Sequence, residues 1–154
     1  MKWLVALVLL VSACGSSRPP LLHLALPAGY EEAGVEQGEP AAFRRQYRTE
    51  LGADDVALHR VDTPGGGPPL AVVSLEWTHP MDDRVPALAA RLHDDVPIGG
   101  GRPTTIAGHP AFVHQADDTL QSVVLVIEGR RGVLVYGGRV HDERNVARAV
   151  LGGW

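Results

Sequence analysis

Past residue 21 the apolar positions fall into short runs and helical stripes that succeed one another along the chain. Residues 22–26, Leu-His-Leu-Ala-Leu, predict a strand closed by the turn Pro27-Ala28-Gly29. Residues 30–39 are acidic, contain two glycines and read as loop. Pro40 suits the first position of a helix, where its missing N–H costs nothing. Phe43, Tyr47 and Leu51 then recur at i, i+4 and i+8, and Gly52 closes the helix. Residues 56–61 read as an edge strand and 62–69 as a loop rich in Gly and Pro. Residues 70–77 read as a strand covered on both faces, because Leu-Ala-Val-Val-Ser-Leu does not alternate. Asp82-Asp83 predicts the cap of a second helix. Val85, Leu88, Ala89, Leu92 and Val96 form its stripe, Pro86 is tolerated in its first turn, and Pro97 with glycines 99–101 ends it. Strands are expected at 104–107, 112–115, 120–128 and 133–139, the last two joined by a hairpin connection at 128–132. A final helix is expected with Asp142 as cap, Val146, Ala147, Val150 and Leu151 on one face, and Gly152-Gly153 as stop. No internal repeat interrupts this order. Three helices among about six mostly antiparallel strands predict one α+β domain over residues 22–154, with the helices packed on the sheet.

The first 21 residues follow a different pattern. Met1-Lys2 is a short positive start, and residues 3–11 are an unbroken apolar run. Nine residues are about half of the ~18 or more that span a bilayer, so the run reads as the core of a signal peptide. Val11-Ser12-Ala13-Cys14 follows, and Cys14 is the only cysteine. This order resembles the lipobox of bacterial lipoproteins. The resemblance implies that residues 1–13 are removed, that the Cys14 thiol carries a diacylglyceryl group, and that the new amino terminus is acylated. Two acyl chains give stable attachment where one is marginal. Residues 14–21 then read as lipidated cysteine and short tether; the stretch 15–20 reaches about 20 Å if extended like polyproline. The implied location is the outer side of the cell membrane or the cell outer membrane. Gly15 stands where an aspartate would signal inner-membrane retention, which favours the outer membrane in a cell with two.

Charge and composition narrow the partners. The 154 residues carry 14 basic and 18 acidic side chains, a net charge of −4. Removing residues 1–13 takes away Lys2, the sole lysine, and leaves −5. A mildly acidic chain without a basic block argues against nucleic acid and against electrostatic binding to anionic lipid. Apolar residues at 45% and charged at 21% suit a folded domain. Aromatics are only 5%, so the core has to be aliphatic. With one cysteine no internal disulfide forms, and stability rests on packing.

The order of elements also resembles the PsbP-like fold of small bacterial lipoproteins of the LpqN type. The residues that carry this likeness are Leu26-Pro27-Ala28-Gly29-Tyr30 after a Leu-rich strand, the central strand and helix, and Ile106-Ala107-Gly108-His109-Pro110-Ala111 before a long hairpin and a terminal helix. Members of that group are mostly non-catalytic, so the resemblance implies little chemistry.

The residues themselves offer little chemistry. A Walker A loop needs a lysine that the mature chain lacks, and no G-x-G-x-x-G follows a strand. G-x-S-x-G and H-E-x-x-H are absent, and Ser74 and Ser122 lie inside expected strands. The histidines are His23, His59, His79, His93, His109, His114 and His141. With Asp82, Asp83, Asp94, Asp95, Asp117 and Asp118 they offer metal donors, yet only His109 and His114 are neighbours, and five positions apart they face opposite sides of a strand. His79 with Asp82 makes a candidate loop pair. Glu76 beside Trp77, or Glu128, would need a second acid across a cleft for glycoside chemistry. Arg44, Arg45 and Arg48 lie off the first helix's stripe, as a solvated face or an anion site. The sequence therefore calls for no catalytic residue, metal or cofactor. It predicts a membrane-anchored envelope domain that binds an envelope protein partner through the 62–69 loop, the Arg130-Arg131 tip or the Arg44/Arg45/Arg48 face. A metal-binding or hydrolytic envelope enzyme and a small-molecule or lipid carrier are the alternatives.

Overall fold

The β-branched and leucine runs of the chain assemble into one sheet in the computed structural model, which describes residues 24–35, 41–92, 101–114 and 122–153. The elements are β1 Glu31–Val35, α1 Ala41–Leu51, β2 Asp55–Asp62, β3 Leu70–Glu76, α2 Val85–Leu92, β4 Arg102–Ile106, β5 His109–His114, β6 Val123–Glu128, β7 Arg131–Tyr136 and α3 Val140–Gly152. Single 3-10 turns occupy Pro64–Gly66 and Asp82–Arg84. The seven strands lie in the order β1-β2-β3-β7-β6-β5-β4, every pair antiparallel. Among the described residues the domain is thus α+β, a seven-stranded antiparallel sheet with about three helices.

Strand period and register divide the core in two. Val73, Leu134 and Leu125 face one another across β3, β7 and β6, and they join Tyr47 and Leu51 of α1 and Val85 and Leu88 of α2. One position away, Val72, Val135 and Val124 join Val146, Ala147, Val150 and Leu151 of α3 on the other face. Both faces are covered, so β3, β6 and β7 are buried at nearly every position and read as unbroken apolar runs. The stripes expected on the helices are the buried ones where side chains are described: Val85 and Leu88 are 2% and 3% exposed. Trp77 fastens α1 to the sheet, its Nε1–H donating to the Leu51 carbonyl at 3.0 Å. Gly52 follows α1 at φ +64°, the left-handed conformation in which glycine ends helices.

Several elements differ from their sequence reading. Residues 24–27 form no strand. They run beside α3, and Leu24, Leu26 and Tyr30 pack on the second core cluster. Their apolar spacing serves that packing, and their end is a turn in which Tyr30 N–H donates to the Pro27 carbonyl. The acidic stretch read as loop holds β1, which pairs with β2 through a bulge between Glu32 and Gly34. β2 is therefore an inner strand and not an edge. β7 begins at Arg131, so the hairpin turn is Gly129-Arg130, with Gly129 at φ +56°. The expected aspartate caps do other work: Asp82 accepts the Gly129 N–H at 2.8 Å, and α3 starts at Val140, two residues before Asp142. Gly152 belongs to α3, and Gly153 ends it. Cys14, the tether, Leu22, His23, Pro40, Val96, Pro97 and the expected start of β6 at residue 120 lie outside the described residues, as do the side chains of Phe43, Arg44 and Leu92.

Candidate functional site

The register defines two ends of the sheet. The upper end carries Asp62, Leu70, Tyr136, Val123 and His114; the lower end carries the turns after Ile106 and Glu128. The sequence candidates are scattered over both. His109 and His114 point to opposite faces of β5, as their spacing requires: Ala111 and Val113 join the α3-side cluster, and Phe112 packs on the other. His109 Nε2 lies 3.9 Å from Glu128 Oε1 in a half-exposed pair at the lower end. His114 is buried at the upper end with neither ring nitrogen hydrogen-bonded among the described residues. His79 is exposed, and the Asp82 carboxylate is taken up by Gly129. His141 is exposed on α3, 3.0 Å from the Asn145 amide. His93, Asp94, Asp95, Asp117 and Asp118 lie outside the described residues. Among the described residues no three His, Cys, Asp or Glu side chains gather in a group able to hold a metal ion. Glu76 stands at the end of β3 between Asp55 and Arg131 in register. Arg48 pairs loosely with Asp55 at 3.5 Å, and Arg45 is exposed.

Two polar arrangements were not foreseen. The first is a pair on the edge strands: His59 is fully buried, and its Nδ1 lies 2.6 Å from Glu32 Oε1. It escaped the sequence reading because Glu32 sits in the stretch read as loop. The second is a buried carboxyl at the start of α3. Glu143 is fully buried, and its Oε1 lies 2.8 Å from Ser122 Oγ and accepts the Gly138 N–H at 3.2 Å. Ser122 Oγ is also 2.8 Å from the Gly138 carbonyl. The Ser122 hydroxyl has one hydrogen to offer to Glu143 Oε1 and the Gly138 carbonyl, and Oε1 is also the acceptor of the Gly138 N–H. Oε2 has no partner among the described residues, so an ionised Glu143 would leave charge buried and bare. Burial pushes the Glu143 carboxyl up to about 7; the Ser122 and Gly138 hydrogen bonds pull down against it, and the Asp142 charge adds to the rise. Glu143 occupies the stripe of α3, three residues before Val146 and four before Ala147, and that spacing was the available signal.

Next to this carboxyl, Tyr30 Oη donates to Asp142 Oδ1 at 2.6 Å and ties the segment before β1 to α3. Burial, and then the Asp142 hydrogen bond, raise the Tyr30 hydroxyl's pKa. Ser122 and Glu143 touch, and both are buried beside Gly138. An open cleft of about 290 Å³ lies at the upper end, lined by Leu58, His59, Arg60, Pro69, Leu70, Ala71 and Tyr136. Among its described lining residues Arg60 carries the charge, and its Nε is 3.8 Å from Asp62.

Compared with models of known families, with curated proteins and with solved structures, the chain matches none.

Proposed function

We propose that the chain is a lipid-anchored cell-envelope protein whose domain acts by binding another envelope component. One observation carries this reading: Lys2, the apolar run 3–11 and Val11-Ser12-Ala13-Cys14 occur in the order of a lipoprotein signal. In this reading residues 1–13 are removed, Cys14 carries the lipid, 14–21 tether the domain, and 22–154 fold. Among the described residues no helix is long and apolar enough to cross a membrane, and the lipid provides the attachment. The membrane is the cell membrane on its outer side or the outer membrane. The layering of α1 and α2, sheet, and α3 supports the finer reading of the fold as a PsbP-like sandwich of the LpqN type. Binding fits a sandwich filled on both faces better than turnover does, since a reaction needs convergent groups around a space that admits substrate. The exposed surfaces open to a protein partner are the 62–69 loop, the turn at Arg130, and Arg45 with Arg48 on α1. The upper-end cleft favours a second reading, a carrier of a small molecule or lipid, and its volume is slightly below the ~300–1,000 Å³ usual for ligand sites.

Cell fractionation tests the main reading. The full chain should sediment with membranes, and Cys14→Ser should move it to the soluble fraction with its circular dichroism unchanged. A wild-type chain that is soluble in its host would contradict it. Cross-linking of the lipidated protein should capture an envelope protein that the soluble variant fails to capture.

A further inference from the structure

We infer that the segment before β1 is a strap that sets how the domain stands on a lipid surface, with the C-terminal end of α3 toward the membrane and the upper end away from it. This orientation rests on lipidation at Cys14.

Three contacts fix the strap. At its start, a Cβ placed on Gly153 would run into the Cβ of Ala25, so Ala25 lies against the C-terminal end of α3. At its end, Tyr30 Oη holds Asp142 in the first turn of α3. Just before that, a Cβ on Gly29 would stand 3.5 Å from Pro64 in the upper loop. Leu24 and Leu26 pack between these points onto the α3-side core. Lengths agree with this course. From Asp142 to Gly153 the helix rises about 16 Å; Ala25 to Pro27 covers about 7 Å of it if extended, and the Pro27–Tyr30 turn with the Tyr30 side chain reaches on to Asp142. The strap therefore runs antiparallel to α3, from beside Gly153 to beside Asp142.

The direction of α3 completes the argument. Its first turn is held at the upper end, where Glu143 meets Ser122 before β6 and Gly138 after β7. Its later residues Val146, Ala147, Val150 and Leu151 stay buried on this face of the sheet, along β6 and β7, so the helix runs down the sheet from that end. The chain toward Cys14 thus leaves the domain low on the sheet. Ten residue steps separate Cys14 from Leu24, a reach of at most about 36 Å. Turning the domain over would send that link back up some 16 Å beside the strap and spend nearly half its reach. Leaving the cleft and the 62–69 loop on the far side instead costs no reach, and it presents them to a partner in the aqueous space.

Energy transfer to labelled lipid tests this on the intact lipoprotein. The full chain is produced in a bacterium that processes lipoproteins, and the purified protein is reconstituted into phosphatidylcholine vesicles bearing acceptor-labelled headgroups. A donor is attached to Gly152→Cys or to Asp62→Cys, both exposed; Cys14 is the only native cysteine and its thiol is taken by lipid. Transfer should be more efficient from Gly152→Cys, whose donor sits at the lipid-facing end of α3, than from Asp62→Cys at the upper end. Equal or reversed efficiencies, with the protein floating with the vesicles, would overturn the orientation and leave the anchor standing. A protein that does not float with vesicles would overturn the anchor and the orientation with it.

Discussion

Glu143→Gln should flatten the pH dependence of stability. The carboxyl is fully buried and its Oε2 has no partner among the described residues, so burial favours the neutral form. Its pKa rises from 4.5 in a free chain to about 7 in the fold. Below pH 4.5 the group is protonated in folded and unfolded chains alike, and its contribution is fully present. As pH climbs from 4.5 toward 7 the unfolded chain gives up the proton while the folded chain keeps it, so stability falls. Above 7 the loss is complete. A shift of this size corresponds to about 3 kcal/mol, at ~1.4 kcal/mol per pKa unit. Glutamine keeps the size of the side chain, offers a carbonyl oxygen that accepts the Gly138 N–H in place of Oε1, and does not titrate. Urea unfolding followed by circular dichroism, on wild type and variant from pH 4 to 8, isolates the term, because every other titrating group cancels between the two. The difference in unfolding free energy should move by about 3 kcal/mol in favour of the variant as pH rises. A difference that stays within about 0.5 kcal/mol across that range would refute the reasoning.

Three further substitutions probe packing and backbone. Leu88→Ala removes a side chain that is 3% exposed between α2 and the sheet, and it should cost about 2–5 kcal/mol by urea unfolding; a loss below ~0.5 kcal/mol would mean that α2 does not dock by this face. Ala107→Gly should stabilise by up to about 1 kcal/mol, because Ala107 holds φ +52° in the two-residue turn between β4 and β5, where alanine is strained and glycine is not; a lower thermal midpoint would contradict this. Gly132→Ala should cost about 1–3 kcal/mol, since the new Cβ would meet the Trp77 ring at 2.8 Å and the Val126 carbonyl at 3.3 Å in a close-packed core; an unchanged near-ultraviolet Trp signal with unchanged stability would contradict it.

The interior of this fold was legible because its period is strong. The Leu-Ala-Val-Val-Ser-Leu run of β3, apart from half-buried Ala71, and the Val146, Ala147, Val150, Leu151 stripe of α3 are buried as their patterns require. The margins were not legible. β1 is acidic and glycine-bearing, and its pairing with β2 depends on a partner whose apolar pattern does not reveal a free edge. Residues 24–26 have the composition of a strand but pack on α3, a choice made by tertiary contact that local pattern does not encode. Aspartates 82 and 142 have the residue type of helix caps, yet each finds a distant donor, Gly129 N–H and Tyr30 Oη. The buried polar groups divide in the same way. Glu143 was readable from its place on an apolar stripe, whereas the His59–Glu32 contact joins residues 27 positions apart through a strand the pattern did not show.

The central claim is that Cys14 is the lipidated amino terminus of the mature protein. Intact mass spectrometry of the protein extracted in detergent from its native host tests it most directly. The expected chain starts at Cys14 and is heavier than the polypeptide from Cys14 to Trp154 by a diacylglyceryl group and, where the amine is acylated, by one acyl chain more. A chain that keeps residues 1–13, or one that begins elsewhere with an unmodified amino terminus and a free Cys14 thiol, would contradict it.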